Sequence, residues 1–86
     1  MKVSFKPTFI RQFKRLDFGL QQEVNEKIEL LKDRENFAQL KVHKLHGRLA
    51  GRYSFSVNYK TRIVFCYLSK NEVALLAIGD HAVYDK

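Results

Sequence analysis

The sequence predicts an α+β fold ordered β-α-α-β-β-β, an antiparallel sheet with a helical hairpin packed on one face. Three observations predict it. Apolar residues recur at helical spacing in the first third of the chain, and they alternate with polar ones in the last third. Between the two lies a basic stretch with no sustained period.

Each element follows in order. Residues 2–5 alternate and suit a short strand, with Val3 and Phe5 on one face. Pro7 fits the first turn of a helix, where its missing N–H is no loss. Phe9, Phe13 and Leu16, with Ile10 beside them, carry that helix onward until Gly19 breaks it. Leu20, Val24, Ile28 and Leu31 form the apolar stripe of a second helix, and Glu23, Glu26, Lys27, Glu29, Lys32 and Asp33 solvate its other faces. Residues 37–51 read as a basic loop containing Gly47 and Gly51. Tyr53, Phe55, Val57 and Tyr59 then alternate with Ser54, Ser56 and Asn58, the pattern of a half-buried strand. A second strand is expected over 61–68 and a third over 72–78, separated by a turn at Ser69-Lys70-Asn71 and closed by Gly79.

Eighty-six residues make one domain, here residues 1–86, and the 45% hydrophobic share is that of a globular chain. No apolar run approaches the roughly 18 residues that span a bilayer, and residues 1–6 lack the apolar stretch of a secretory signal. A single cysteine, Cys66, makes no internal disulfide and fits a reducing cytoplasm. Its place among apolar strand residues reads as a small buried hydrophobe rather than a nucleophile.

Charge is the more informative quantity. Sixteen Lys and Arg face nine Asp and Glu, a net charge of +7. Between Glu35 and Glu72 there is no acid, yet Lys41, Lys44, Arg48, Arg52, Lys60, Arg62 and Lys70 lie there with His43 and His46. One-sided charge of this kind is the footprint of a polyanion-binding face. A basic face can also serve solubility alone, although surfaces built for that usually mix both signs.

Several chemistries are set aside. There is no cysteine pair or close Cys/His quartet for structural zinc, and no glycine-rich phosphate loop. Glu72, Asp80 and Asp85, the only acids of the C-terminal half, are too few for a two-metal nuclease, and neither metal nor small-molecule cofactor is expected. What remains suits RNA cleavage without metal. That reaction needs a base for the ribose 2′-OH, a cation for the phosphorane and an acid for the leaving 5′ oxygen. His43, Lys44, His46, Arg48, Arg52, Arg62, His81 and Tyr84 offer those groups. Taken singly, each has a plain reading: Arg62 as a solvated strand end, the loop histidines as exposed polar groups, Tyr84 as terminal packing. Jointly they match the reaction.

Three segments also resemble the RelE/ParE superfamily of bacterial and archaeal toxins. Leu45-His46-Gly47-Arg48-Leu49-Ala50-Gly51-Arg52-Tyr53-Ser54 is similar to the glycine-spaced stretch that leads into the family's second strand. Thr61-Arg62-Ile63-Val64-Phe65 resembles the strand that follows, and Ile78-Gly79-Asp80-His81-Ala82-Val83-Tyr84 the common ending. The acid precedes the histidine here, where the family places it after.

The resemblance implies site roles. Arg62 matches the arginine at the scissile phosphate, and His81 and Tyr84 match positions for proton transfer, stacking or orientation. His43 falls near a catalytic glutamate and would act as base. Lys41, Lys44, His46, Arg48, Arg52 and Lys60 would grip RNA phosphates. The implied function is a ribosome-dependent mRNA endoribonuclease, with a cognate antitoxin, the ribosome and mRNA as partners. Because one fold hosts several functions, a non-catalytic inhibitor of DNA gyrase and a degenerate toxin that only binds its antitoxin are the alternatives. A further expectation is that Arg62, His81 and Tyr84 share one concave surface with the basic loop.

Overall fold

A computed structural model describes residues 1–80 and Val83. Strand β1 (Lys2–Phe5) leads into helix α1 (Pro7–Lys14), and Pro7 stands at the helix start as its fixed φ favours. Helix α2 (Phe18–Leu31) begins earlier than the sequence suggests. Asp17 caps it by accepting the Leu20 N–H at 2.8 Å, so the break falls at residues 15–17 and Gly19 lies inside the first turn. The cap outweighs the glycine's conformational freedom.

The stretch expected as a loop holds more structure. A 3-10 turn (Arg34–Asn36), a short helix α3 (Phe37–Leu40), a two-residue strand β2 (His43–Lys44) and a second 3-10 turn (Gly47–Leu49) occupy it. Elements this short carry too few residues to leave a period in sequence. Gly47 and Gly51 have φ of 67° and 87°, which bends the chain into β3 (Tyr53–Ser56). Two longer strands, β4 (Arg62–Ser69) and β5 (Glu72–Gly79), complete the fold.

The five strands form one sheet in the order β1-β5-β4-β3-β2. Strands β2 to β5 pair antiparallel, as short connections dictate, but β1 runs parallel to β5 with Val3 opposite Val73 and Phe5 opposite Leu75. The sheet is therefore mixed, not wholly antiparallel. No tight turn joins β1 to its neighbour, so its direction is set by the path through the helices. Where β1 ends, Gln12 of α1 takes over the pairing and accepts the Ile78 N–H at 2.8 Å.

The helical hairpin packs on one sheet face. Phe9, Val24, Ile28, Leu31 and Leu40 meet Phe55, Ile63, Phe65, Val73, Leu75 and Ile78 there, with Phe55 and Phe65 edge-on at 5.8 Å. A register shift between Val64 and Phe65 leaves Leu76 as an extra residue in β5. The bulge restores the inward phase, which returns Ile78 to the core. Arg34 ties the helical layer to the far end of the sheet. It donates to the Lys70 carbonyl and lies over the rings of Phe37 and Tyr67 at 5.9 and 5.7 Å. Cys66 is half-buried rather than buried.

Candidate nucleic-acid interface

The turn between β3 and β4 is where the candidate site begins. The Asn58 side-chain oxygen accepts the N–H groups of Lys60 and Thr61 at 2.9 and 2.8 Å, an Asx-type turn that halts the strand pattern after Ser56. Its amide nitrogen donates to Glu23 of α2 at 2.9 Å, and the Val57 N–H closes the turn on the Thr61 carbonyl. Tyr59, which alternation assigns to the buried face, instead stands at the turn and is 90% exposed.

Arg62 opens β4 and is half-buried. Its Nη1 donates to the carbonyls of Asn58, Tyr59 and Thr61 at 2.6, 3.1 and 3.2 Å, so the guanidinium leans over the turn. The Nε–Nη2 edge has no partner among the described residues, and such an edge matches two phosphate oxygens. Around it opens a hollow of about 420 Å³ lined by Arg62, Tyr59, Ser56, Lys41, Gln39 and Lys27, among others. None of its lining residues is acidic.

His43 sits on the edge strand opposite Ser54, and Arg62 is opposite Ser56, so both belong to the sheet face turned away from the helices. Two strand spacings and two residues separate them, roughly 12 Å between Cα atoms. The His43 Nδ1 lies 3.0 Å from the Lys41 carbonyl. A carbonyl only accepts, so Nδ1 carries the proton and Nε2 of the neutral ring is the nitrogen able to take one. Lys41 holds that carbonyl in place from a left-handed backbone, φ 58°.

The other expected contacts distribute unevenly. Lys44 pairs with Tyr53, on the opposite face from His43. His46 and Arg48 are exposed around the second 3-10 turn, and Lys60 is exposed beside Tyr59. Arg52 lines a separate hollow of about 370 Å³ with Lys6, Thr8, Leu49, Val64, Leu76, Ala77 and Val83. The hollow at Arg62 thus also holds Lys41, and Arg52 lines a hollow of its own. His81 and Tyr84 lie outside the described residues, and with them the expected convergence on Arg62.

Sequence reasoning missed Lys27, Gln39 and Tyr59. Lys27 reads as one of the charges that solvate α2, Gln39 lies in the stretch expected as a loop, and Tyr59 falls at the end of the strand that alternation predicts. Among the described residues, the one ion pair joins Lys32 to Glu29 at 2.6 Å, so the cations of residues 36–71 face no carboxylate at that range. No group of His, Cys, Asp and Glu side chains there is arranged to hold a metal, and no helix is long and apolar enough to cross a membrane.

No protein-family model and no curated protein sequence matches the chain; the likeness lies in three dimensions. A YoeB/ParE toxin from Agrobacterium tumefaciens superposes with a TM-score of 0.75 at 24% identity, over 94% of this chain and 99% of that one. The toxin–antitoxin complex RelBE2 from Mycobacterium tuberculosis gives 0.75 at 19% identity, over 93% and 96%. YafQ from E. coli gives 0.76 at 16% identity, over 95% and 94%. Over 93–95% of its length, the chain has the α+β fold of RelE/ParE-like toxins.

Proposed function

We propose that this chain is the toxin of a toxin–antitoxin pair, an endoribonuclease that cuts mRNA on the ribosome. The observation that carries the reading is the hollow at Arg62, where three cations meet and no lining residue is acidic. A phosphate diester placed there meets the Nε–Nη2 edge of Arg62, which has no partner among the described residues, with Lys27 and Lys41 on its neighbours.

His43, approaching from β2, takes the ribose 2′-OH proton on Nε2 while the Lys41 carbonyl fixes its ring. The 2′ oxygen bonds to phosphorus as the bond to the 5′ oxygen breaks. Arg62 stabilises the charge that gathers on the phosphorane. The products are a 2′,3′-cyclic phosphate and a 5′-hydroxyl, whose proton comes from His81, a role resting on the motif resemblance alone. Tyr84, on the same basis, orients the substrate. A cognate antitoxin with an acidic segment fits the same surface, since among the described residues the cations there have no carboxylate within ion-pair range.

Primer extension on mRNA from briefly induced cells tests the reading. Wild-type protein is expected to leave discrete new 5′ ends within translated regions, and Arg62→Ala to leave none. Equal cleavage by both proteins removes the mechanism. Growth arrest with intact mRNA replaces it with gyrase inhibition.

A further inference from the structure

Tyr59 is the most exposed large hydrophobic side chain among the described residues. An aromatic ring in water forgoes the burial that stabilises most others, and this one stands at the mouth of the cationic hollow. Its support is unusually well tied for a surface turn. Asn58 binds two turn N–H groups and Glu23, the Val57 N–H closes the loop, and Arg62 holds the carbonyl of Tyr59 itself at 3.1 Å.

From this arrangement we infer that Tyr59 is a stacking platform for one nucleobase of the single-stranded RNA gripped at Arg62. The inference rests on the ribonuclease reading above and names a substrate contact that the motifs do not carry. Every base has a π-face, so stacking on a tyrosine is tolerant of sequence. Because the backbone beneath the ring is already fixed, little order is lost when a base settles on it. The same turn then holds both ends of one nucleotide: the ring takes the base, and the guanidinium three residues on takes the phosphate. Lys60, exposed beside the ring, adds charge without covering it.

The test uses the full chain with ribosomes carrying a short defined mRNA, and reads cleavage against protein concentration. Tyr59→Ala is expected to raise the concentration for half-maximal cleavage about tenfold and leave the maximal rate unchanged. Tyr59→Phe, which keeps the ring, is expected to match wild type. Messages with a single abasic nucleotide stepped along the cut region give a second readout. At one position the missing base should weaken wild type to the level of Tyr59→Ala and leave that variant unaffected. If wild type cuts and Tyr59→Ala cuts equally well at every concentration, Tyr59 is not a platform and the ribonuclease reading stands. If wild type cuts nothing, the reading beneath the inference fails and the inference with it.

Discussion

At the scale of single residues, the most consequential contact is the one between His43 and the Lys41 carbonyl, 3.0 Å from Nδ1. It selects a tautomer without any carboxylate. An edge histidine is otherwise free to present either nitrogen, and in the proposed role of base it gains from having one choice. Lys41 adopts the left-handed conformation that makes this possible at a cost of order 1 kcal/mol for a non-glycine residue. His43→Gln keeps an exposed polar side chain but removes the proton acceptor. It is expected to slow single-turnover cleavage about 100-fold or more while leaving binding to programmed ribosomes within twofold of wild type. Unchanged cleavage would transfer the base role to another group.

At the scale of elements, the β3–β4 turn decides how the site is built. Alternation through Tyr53, Phe55, Val57 and Tyr59 looks like one strand, yet β3 ends at Ser56. Asn58 supplies the reason, since its side chain offers the backbone an alternative set of hydrogen bonds to the ladder. Asn58→Ala removes the acceptor for two N–H groups and the donor to Glu23. A loss of about 1–3 kcal/mol is expected, read as a lower urea midpoint with an unchanged m-value. A midpoint equal to wild type would mean that Arg62, through its three carbonyl contacts, and the Val57 N–H hold the turn without Asn58. Strand β2 makes the complementary point: two residues long and exposed, it survives because Lys44 and His43 pair with β3. Short, charged edges of this kind also resist unwanted strand addition.

At the scale of the whole molecule, the net charge of +7 is spread unevenly, and Lys27, Lys41 and Arg62 meet at one hollow with no acidic lining residue. Binding of a polyanion to such a face is driven largely by counterion release, with log K falling by about 0.7 per phosphate neutralised for single strands. The dependence of half-maximal cleavage on KCl therefore reports the contacts. Replacing Lys27 and Lys41 together by Ala is expected to flatten that slope by roughly 1.4, twice the single-contact value, with the cut sites unchanged. A slope identical to wild type would place the phosphates elsewhere, with the hollow around Arg52 and Lys6 the next surface to examine.

By itself, the sequence determined the helical hairpin, the two long strands β4 and β5 and the cationic character of the second half. Those features are written in local terms: spacing of Val24, Ile28 and Leu31 on one helix face, alternation along β4 and β5, and the absence of acids between Glu35 and Glu72. Glycine placement also carried information, because Gly47 and Gly51 sit where φ is positive. The tertiary structure decided what depends on residues far apart in the chain. Parallel pairing of β1 with β5 joins positions some 70 residues apart, and no local turn fixes its sense. Arg62 was legible as a charge at a strand start, but its grip on the turn and its company with Lys27 and Lys41 arise only when α2, α3 and β4 meet. Tyr59 shows the limit most clearly. Its sequence period is that of a core residue, and a side-chain hydrogen bond one position earlier turns it out into solvent.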